Sequence, residues 1–443
     1  MADEDAGTLA GNALEAAKEA GAGEAEACVE RTRSSVIKVH GGKPSSVKVS
    51  ETFGIGVRVF REGRTGFFNT CIPARVVPGV KELVEAVVQA DPDPCAGLPE
   101  PPFGPFESPD IFDERLAALG NDEKIETLIG LEAEVLDADP RLVSKYFTFH
   151  DEVEDQRLVN TRGLDASYRA TSFSVVGVAG VKDERKGTRG FFIRHGRHLP
   201  PLAGAGREAA ERALQAFGGE PIPPKPRTVV FDPMLASQFL SQIASAFLGP
   251  RAVRGETFLA GKEGTSIAPE TFALVDHLGL AGAPGTLPFD GEGVAPERTV
   301  VVEGGVLTGF LYDTYWGRRA GKASTGNASR PGYRDLPRVS PGNLYVEPGE
   351  GTLEEIVASV DDGLLLLEAM NVGGVSVASG DYSVSASGVR IEKGKRTHPV
   401  GSVTIAGTLP EMLENIVAIG DDLTWRFPIA CPTLAIEGLT VGG

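Results

Sequence analysis

The segment SSVIKVHGGKPSSVKVSETFGIGVRVFREGRTGFFNT, residues 34–70, contains the pattern that decides the fold class. A period of two runs through residues 36–40 and again through residues 56–60, as expected for strands with one buried face. Turn-forming pairs, Gly41-Gly42 and Glu62-Gly63, separate the alternating runs. The segment therefore predicts a set of antiparallel β-strands.

Helical periodicity flanks these strands on both sides. Apolar residues recur at helical spacing over residues 8–20 and again over 81–90. A third helical stretch covers residues 123–136, and strand patterns return at 157–160 and 172–181. Helix followed by strands thus occurs twice, which is consistent with a duplicated α+β unit.

Two breaks in the periodic pattern predict the domain organisation. Residues 91–120 contain a stretch rich in proline, glycine and aspartate, which is typical of a linker or long surface loop. The segment GGEPIPPKPR, residues 218–227, is a proline-rich breaker. We therefore predict an α+β protein with an N-terminal α+β region over 1–217, with a sub-boundary in the linker, and a glycine-rich, mainly β domain over 228–443.

Two helices are expected within the C-terminal domain. Asp232-Pro233 supplies an N-cap and a first-turn proline for a helix predicted over residues 234–248. Thr408 and Glu411 have the spacing of a capping box, which predicts a second helix over residues 408–419.

Composition and charge exclude several classes of protein. The 443 residues include 61 acidic residues against 43 lysines and arginines, a net charge of −18 that would repel a nucleic-acid backbone. The four cysteines form no CxxC pair, so neither a zinc knuckle nor a disulfide framework is indicated. No apolar run approaches the roughly 18 residues that a membrane span needs. We expect a cytoplasmic protein with no nucleic-acid or membrane partner.

Short motifs in the second half of the chain carry more specific information. They are PFDGEGV at 288–294, VEGGVLTGFLYD at 302–313, STGNA at 324–328, SPGNLY at 340–345, GDYS at 380–383, SASG at 385–388, IGDDL at 419–423 and LTVGG at 439–443. Together and in this order they resemble the TldD/PmbA family, once called modulators of DNA gyrase. The resemblance extends over most of the chain.

The resemblance also implies which chemistry this chain lacks. TldD-like chains of the family carry HExxxH on a helix, where two histidines and a later cysteine hold a metal and the glutamate acts on bound water. TldE/PmbA-like chains lack that motif and pair with a TldD-like chain. Here the three positions fall on Ser241, Gln242 and Ala246. A hydroxyl is a poor zinc ligand, alanine is none, and glutamine cannot act as a base.

The family therefore implies no metal and no catalytic residue in this chain, with a divalent metal, expected to be zinc, in the partner. Cys431 also lies near the C-terminus, but its segment is shorter than the cysteine segment of TldD-like chains. We interpret it as a buried structural thiol.

The function implied is that of a non-catalytic TldE/PmbA-like subunit of a heterodimeric metalloprotease. Such a subunit shapes the active-site cavity of its TldD-like partner, and the pair hydrolyses unfolded or short peptides. Candidate contacts with peptide or partner are Ser324, Thr325, Gly326, Asn327, Asp381, Ser385 and Ser387. Plain turns that close the β domain are an equally good interpretation of these motifs.

Two other functions remain open on the sequence. The chain is also consistent with a peptide-binding or regulatory homodimer without proteolysis, and with a subunit of a protease that matures a peptide natural product. His195 with His198, and the acidic run over residues 150–155, are interpreted as solvated segments rather than metal sites.

Overall fold

The computed structural model describes residues 3–182, 188–370 and 372–443, and every side chain within them except those of residues 3–5 and 372. The N-terminal part contains, in chain order, α1 (Asp3–Glu19), β1 (Glu24–Val39), β2 (Pro44–Arg61), β3 (Arg64–Thr70), α2 (Val76–Ala86), α3 (Glu114–Ala118), α4 (Asn121–Ala138), β4 (Leu142–Asn160), β5 (Asp165–Val181), β6 (Arg189–Gly196) and α5 (Ala205–Gln215).

One antiparallel sheet organises this part of the chain, with strand order β3-β2-β1-β4-β5-β6. The order is symmetric about the central pair β1 and β4, in which Cys28 lies opposite Leu158. Helix, three strands and helix follow one another in both halves, α1 to α2 and then α4 to α5. The predicted duplicated unit is thus present.

The helices cover one face of this sheet because the strands alternate apolar and polar side chains. Near one end, Ala27, Val29 and Val57 pack against α1 and α2. Near the other end, Phe147 and Phe173 pack against α4 and α5. The opposite face carries charged side chains, and part of it contacts the C-terminal part of the chain.

The C-terminal part is richer in strands. Its elements are β7 (Lys225–Phe231), α6 (Pro233–Ile243), α7 (Gly249–Arg254), β8 (Leu274–His277), β9 (Arg298–Glu303), β10 (Val306–Leu307), α8 (Thr314–Ala320), β11 (Ala328–Ser329), β12 (Arg338–Val339), β13 (Leu344–Val346), α9 (Leu353–Ser359), β14 (Asp362–Met370), β15 (Val375–Ser376), β16 (Asp381–Glu392), β17 (Lys395–Thr408), α10 (Leu409–Glu414), β18 (Ile416–Ile419), β19 (Ile429–Ala430) and β20 (Leu434–Gly442).

Five of these strands close into a barrel, since β14, β7, β20, β17 and β16 pair in turn and β16 pairs again with β14. Helix α6 packs against one face of the barrel strands. The centroid of the Phe239 ring lies 5.7 Å from the ring centroids of both Phe231 and Tyr382. A second sheet, β10-β9-β8-β13-β19, shares the same hydrophobic core. The predicted α+β class with a mainly β C-terminal domain is confirmed. The domain boundaries given above remain predictions.

Two predicted helices have different ends in the structure. The helix predicted over 234–248 stops at Ile243 and tightens into a 3₁₀ turn over Ala244–Phe247. Gly249-Pro250 then begins α7. Proline is tolerated in a first helical turn, where its missing N–H has no partner to lose.

The second predicted helix is shorter than expected. Thr408 caps it as predicted by accepting a hydrogen bond from the Glu411 amide. The helix ends at Glu414, because residues 416–419 pair as β18 with β20. Pairing with a distant strand here overrides local helical preference. None of the described helices is long and apolar enough to cross a membrane.

Candidate functional site

The three positions at which the family motif would fall do not form a site. Ser241 is exposed near the end of α6 and donates a hydrogen bond to the Ser237 carbonyl at 2.8 Å. Ala246 is fully buried in the 3₁₀ turn. The buried Gln242 Oε1 has no hydrogen-bond partner among the described residues.

The side chains present do not fit a resident metal. A hydroxyl, an amide and a methyl group offer no good zinc ligand at these positions. Within the described residues, no three His, Cys, Asp or Glu side chains are grouped so that they could hold a metal ion. We therefore derive no metal-dependent step for this chain.

Cys431 lies beside α6 in the structure. Its backbone N–H donates to Ser237 Oγ at 2.9 Å, one helical turn before Ser241. The thiol is fully buried, and burial raises its pKa well above the ordinary value. Because a metal binds the thiolate, this environment favours the structural role predicted for Cys431.

The predicted contact residues Ser324, Thr325, Gly326 and Asn327 form a turn whose polar groups are used internally. Asn327 Nδ2 donates to Asp276 Oδ2 at 2.7 Å, and Thr325 Oγ1 donates to Asn327 Oδ1 at 2.6 Å. Ser324 Oγ donates to the Tyr312 carbonyl at 3.3 Å. The geometry favours the turn interpretation for most of this motif.

Part of this turn nevertheless borders a cavity between the two parts of the chain. Gly326 and Asn327 line it together with Gln156 and Tyr168 from the sheet, and its volume is about 190 Å³. Beneath Asn327, burial raises the pKa of Asp276 to about 6, although Asn327 and the Gly342 amide both donate to its carboxylate. Asp276 itself lies behind Asn327 and does not line the cavity. The carboxyl that lines it is Asp290, whose pKa is raised to about 7 by burial and by the charge of Glu292, and most of the remaining lining is apolar.

Asp381, Ser385 and Ser387 lie along β16 and not beside the 324–327 turn. Asp381 is exposed and accepts a hydrogen bond from Ser379 Oγ at 2.5 Å. Ser385 is half-buried, and Ser387 is buried opposite Glu368 of β14. The first set of predicted contacts therefore lies in a turn before β11 and the second set on β16, and their role in binding remains a prediction.

A buried charge network that the sequence analysis missed joins the two parts of the chain. Arg58 on β2 donates to Glu26 at 3.1 Å and to Glu292 at 2.9 Å. Arg330 pairs with the other oxygen of Glu26, and the Thr314 amide donates to Glu292 at 2.9 Å. All four charged side chains are at most 9% exposed. The signal available was an arginine in the middle of an apolar strand, GIGVRVF.

The network controls the ionisation of the carboxyl groups around it. Burial disfavours the charge on Glu292, but Arg58 beside it holds its pKa below the ordinary value. For Asp313, burial and then the charge of Glu292 raise the pKa to about 7. Glu292 is therefore held ionised, while Asp313 keeps its proton up to near-neutral pH.

His198 is exposed after β6, as predicted, but His195 and most of residues 150–155 lie within the sheet, so for them the solvated interpretation is wrong. His195 is on β6, where its ring stacks on Phe427, and burial lowers its pKa to about 4. Residues 150–155 lie in the middle of β4, where Asp151 pairs with Lys124 at 2.7 Å and burial raises the pKa of Glu154 to about 7. The error arose because elements distant in sequence cover the faces of the sheet, such as α4 over Asp151, and bury polar residues that look exposed in sequence.

Family models match nearly the whole chain. PmbA/TldA metallopeptidase domain 1 matches residues 25–90, the central domain matches 114–217, and the C-terminal domain matches 224–443. The chain belongs to the PmbA/TldD metallopeptidase family. The family resemblance that the motifs indicated is confirmed.

Two curated relatives and one solved structure are similar to this chain. Metalloprotease PmbA of Escherichia coli O157:H7 is 27% identical and covers 95% of this chain and 92% of its own length. The structure of TldE from Thermococcus kodakarensis has the same fold, with a TM-score of 0.88 over 98% of this chain and all of that one, at 22% identity. A metalloprotease TldD homolog of Buchnera aphidicola is 30% identical over 205 residues, which is 43% of this chain and 42% of that relative.

Proposed function

We propose that this chain is the non-catalytic, TldE/PmbA-type subunit of a heterodimeric TldD/TldE-type metalloprotease. The TldD-like partner supplies the metal, which we expect to be zinc, and the catalytic groups. This chain encloses part of the active-site cavity and restricts entry to unfolded or short peptides. The pair acts in the cytoplasm.

The observation that carries this proposal is the chemistry of Ser241, Gln242 and Ala246. A hydroxyl, an amide and a methyl group supply neither zinc ligands nor a general base for metal-assisted hydrolysis. Full-length similarity to PmbA, against similarity to a TldD homolog over 205 residues, supports the same assignment.

The four cysteines support the cytoplasmic assignment. Cys28, Cys71, Cys95 and Cys431 are all free thiols in the structure. Free thiols are typical of proteins in a reducing compartment, because secreted proteins commonly pair their cysteines in disulfides.

Co-expression with the TldD-like protein of the same organism tests the proposal. We expect a one-to-one complex that contains one metal ion and cleaves an unfolded peptide, whereas this chain alone neither binds stoichiometric metal nor cleaves. Substituting the glutamate of the partner's HExxxH motif should abolish cleavage, and Gln242→Ala in this chain should leave it intact.

Two outcomes of that experiment contradict the proposal. Stoichiometric metal together with cleavage by this chain alone would make it the catalytic subunit. A stable homodimer that binds peptide and ignores the TldD-like protein would instead support the regulatory function.

A further inference from the structure

The β1–β2 hairpin is a basic element in an acidic protein. Residues 31–50 contain Arg31, Arg33, Lys38, Lys43 and Lys48 and no aspartate or glutamate, although the whole chain has a net charge of −18. The three lysines are exposed, and none of them forms an ion pair with a residue that the structure describes. These three lysines therefore present positive charge to solvent, whereas Arg31 pairs with Glu51.

The outer half of β2 has an open edge. Strand β2 pairs with β1 from Pro44 onward, but β3 pairs only with residues 55–61. No other described strand lies beside residues 44–54 on that side. Val47 and Val49 are 46% and 61% exposed there. Unpaired backbone groups beside exposed valines make this edge a template for another strand.

This edge is held in place before any partner binds. The amides of Gly41 and Gly42 at the hairpin tip donate to the Glu132 carboxylate on α4 at 2.8 and 2.7 Å. Ile37 and Val39 of β1 are fully buried in the core formed with that helix. A fixed strand loses little conformational freedom when another strand pairs with it.

We propose that the open edge of β2 binds an extended, acidic segment of the TldD-like partner by β-strand addition. The proposal rests on the function proposed above and names the docking element. The side chains of β2 alternate between the two faces of the sheet, so Lys48 points to one face and Val47 and Val49 to the other. The added strand should therefore place acidic side chains beside Lys48 and apolar side chains beside the two valines.

The positive charge of the hairpin disfavours binding of a second copy of this chain at the open edge of β2. Antiparallel pairing of two such edges would bring Lys48 and the neighbouring lysines of both copies together, and like charges across a strand pair are destabilising. An acidic heterologous strand would instead neutralise the hairpin.

Charge reversal on the hairpin tests the proposal. The variant K38E/K43E/K48E is compared with K18E/K145E/K395E, which reverses three other exposed lysines and changes the net charge equally. Each is titrated with the purified partner at low and high salt. We expect the hairpin variant to bind roughly 10- to 100-fold more weakly at low salt, with the difference shrinking at high salt. The control should bind like the wild type.

Hydrogen–deuterium exchange supplies a readout that is independent of charge. Complex formation should slow amide exchange in peptides spanning residues 44–54, because strand addition gives the outward-facing amides new acceptors. One result would show that the docking surface is wrong while the proposed function survives. In that case the hairpin variant binds the partner as tightly as the wild type does, and amide exchange at residues 44–54 does not change on binding. If the wild type does not bind the partner, both are overturned.

Discussion

Asn327 shows how a residue predicted to contact peptide can instead stabilise the fold. Its amide donates to the buried Asp276 carboxylate at 2.7 Å and to the Ser340 carbonyl at 3.2 Å. Removing a partner of a buried polar group costs about 1–3 kcal/mol. Asn327→Ala should lower the free energy of unfolding by that amount, as measured by urea denaturation.

Ser324→Ala serves as the matched control for that substitution. Ser324 is half-buried and its carbonyl contact is long, at 3.3 Å, so the control should cost less. If Asn327→Ala is as stable as the wild type, and the complex with the TldD-like partner binds peptide more weakly, Asn327 contacts peptide as first predicted.

Asp313 is expected to make stability depend on pH. Burial and Glu292 raise its pKa from 3.8 to about 7, so the folded state keeps a proton that the unfolded state releases. The stabilisation is fully present below about pH 4 and is lost as the pH rises through about 7. Asp313 also caps α8 by accepting from the Trp316 amide at 2.7 Å.

Asp313→Asn keeps an N-cap oxygen but removes the ionisation. We expect it to match the wild type near pH 4 and to be more stable at pH 8 by about 1–3 kcal/mol. Thermal unfolding across this pH range measures the difference. A constant difference at every pH would contradict the assigned pKa.

At the scale of elements, the end of α6 sets the positions of the three residues that replace the family motif. The helix tightens into a 3₁₀ turn after Ile243, which leaves Ser241 exposed and Ala246 fully buried. We therefore expect that restoring the ligand types alone does not rebuild a metal site. The variant S241H/Q242E/A246H should bind no stoichiometric zinc in metal analysis after dialysis.

The double variant S241H/Q242E controls for misfolding of the triple variant, because the buried Ala246 position then stays intact. Both variants should lack tight zinc binding. One zinc ion per chain in the triple variant would mean that the helix end rearranges readily into a metal site.

The same element shows the limits of sequence periodicity. Asp232-Pro233 correctly predicted where α6 begins, because capping is a local interaction between Asp232 and the Leu235 amide. Its end depends on contacts with distant residues, such as the hydrogen bond from Thr257 to the Ala246 carbonyl. Residues 416–419 likewise form a strand only because β20 lies beside them. Helix starts were therefore easier to predict than helix ends.

At the scale of the whole molecule, the buried ion pairs of Arg58 join the sheet to the C-terminal part. Glu292→Ala would leave Arg58 with Glu26 alone and would free the Thr314 amide. Breaking a buried pair typically costs about 3–5 kcal/mol. We expect a loss of that order in the free energy of unfolding, measured with denaturant.

An exposed pair provides the matched control for this prediction. Arg298 and Glu347 lie 2.6 Å apart, with side chains 46% and 43% exposed. Glu347→Ala should cost less than about 1 kcal/mol, since surface pairs contribute little. Equal costs for the two substitutions would show that the Arg58 pairs do not hold the two parts together.

The candidate site was less predictable than the fold for the same physical reason. Fold class followed from local alternation in residues 34–70, which needs no knowledge of distant contacts. The network of Arg58, Glu292 and Arg330 depends on residues more than 200 positions apart in sequence meeting in space. Hydrophobic periodicity carries no information about contacts between residues far apart in sequence. Family motifs indicate such contacts only through resemblance to known proteins.

A titration of activity tests the central claim most directly. The TldD-like partner is held at a fixed concentration, this chain is added in increasing amounts, and cleavage of an unfolded peptide is followed. We predict no cleavage by this chain alone and a rate that rises until the two chains are equimolar and then stays constant. Cleavage by this chain in the absence of the partner, or a partner rate indifferent to its addition, would contradict its assignment as the non-catalytic subunit.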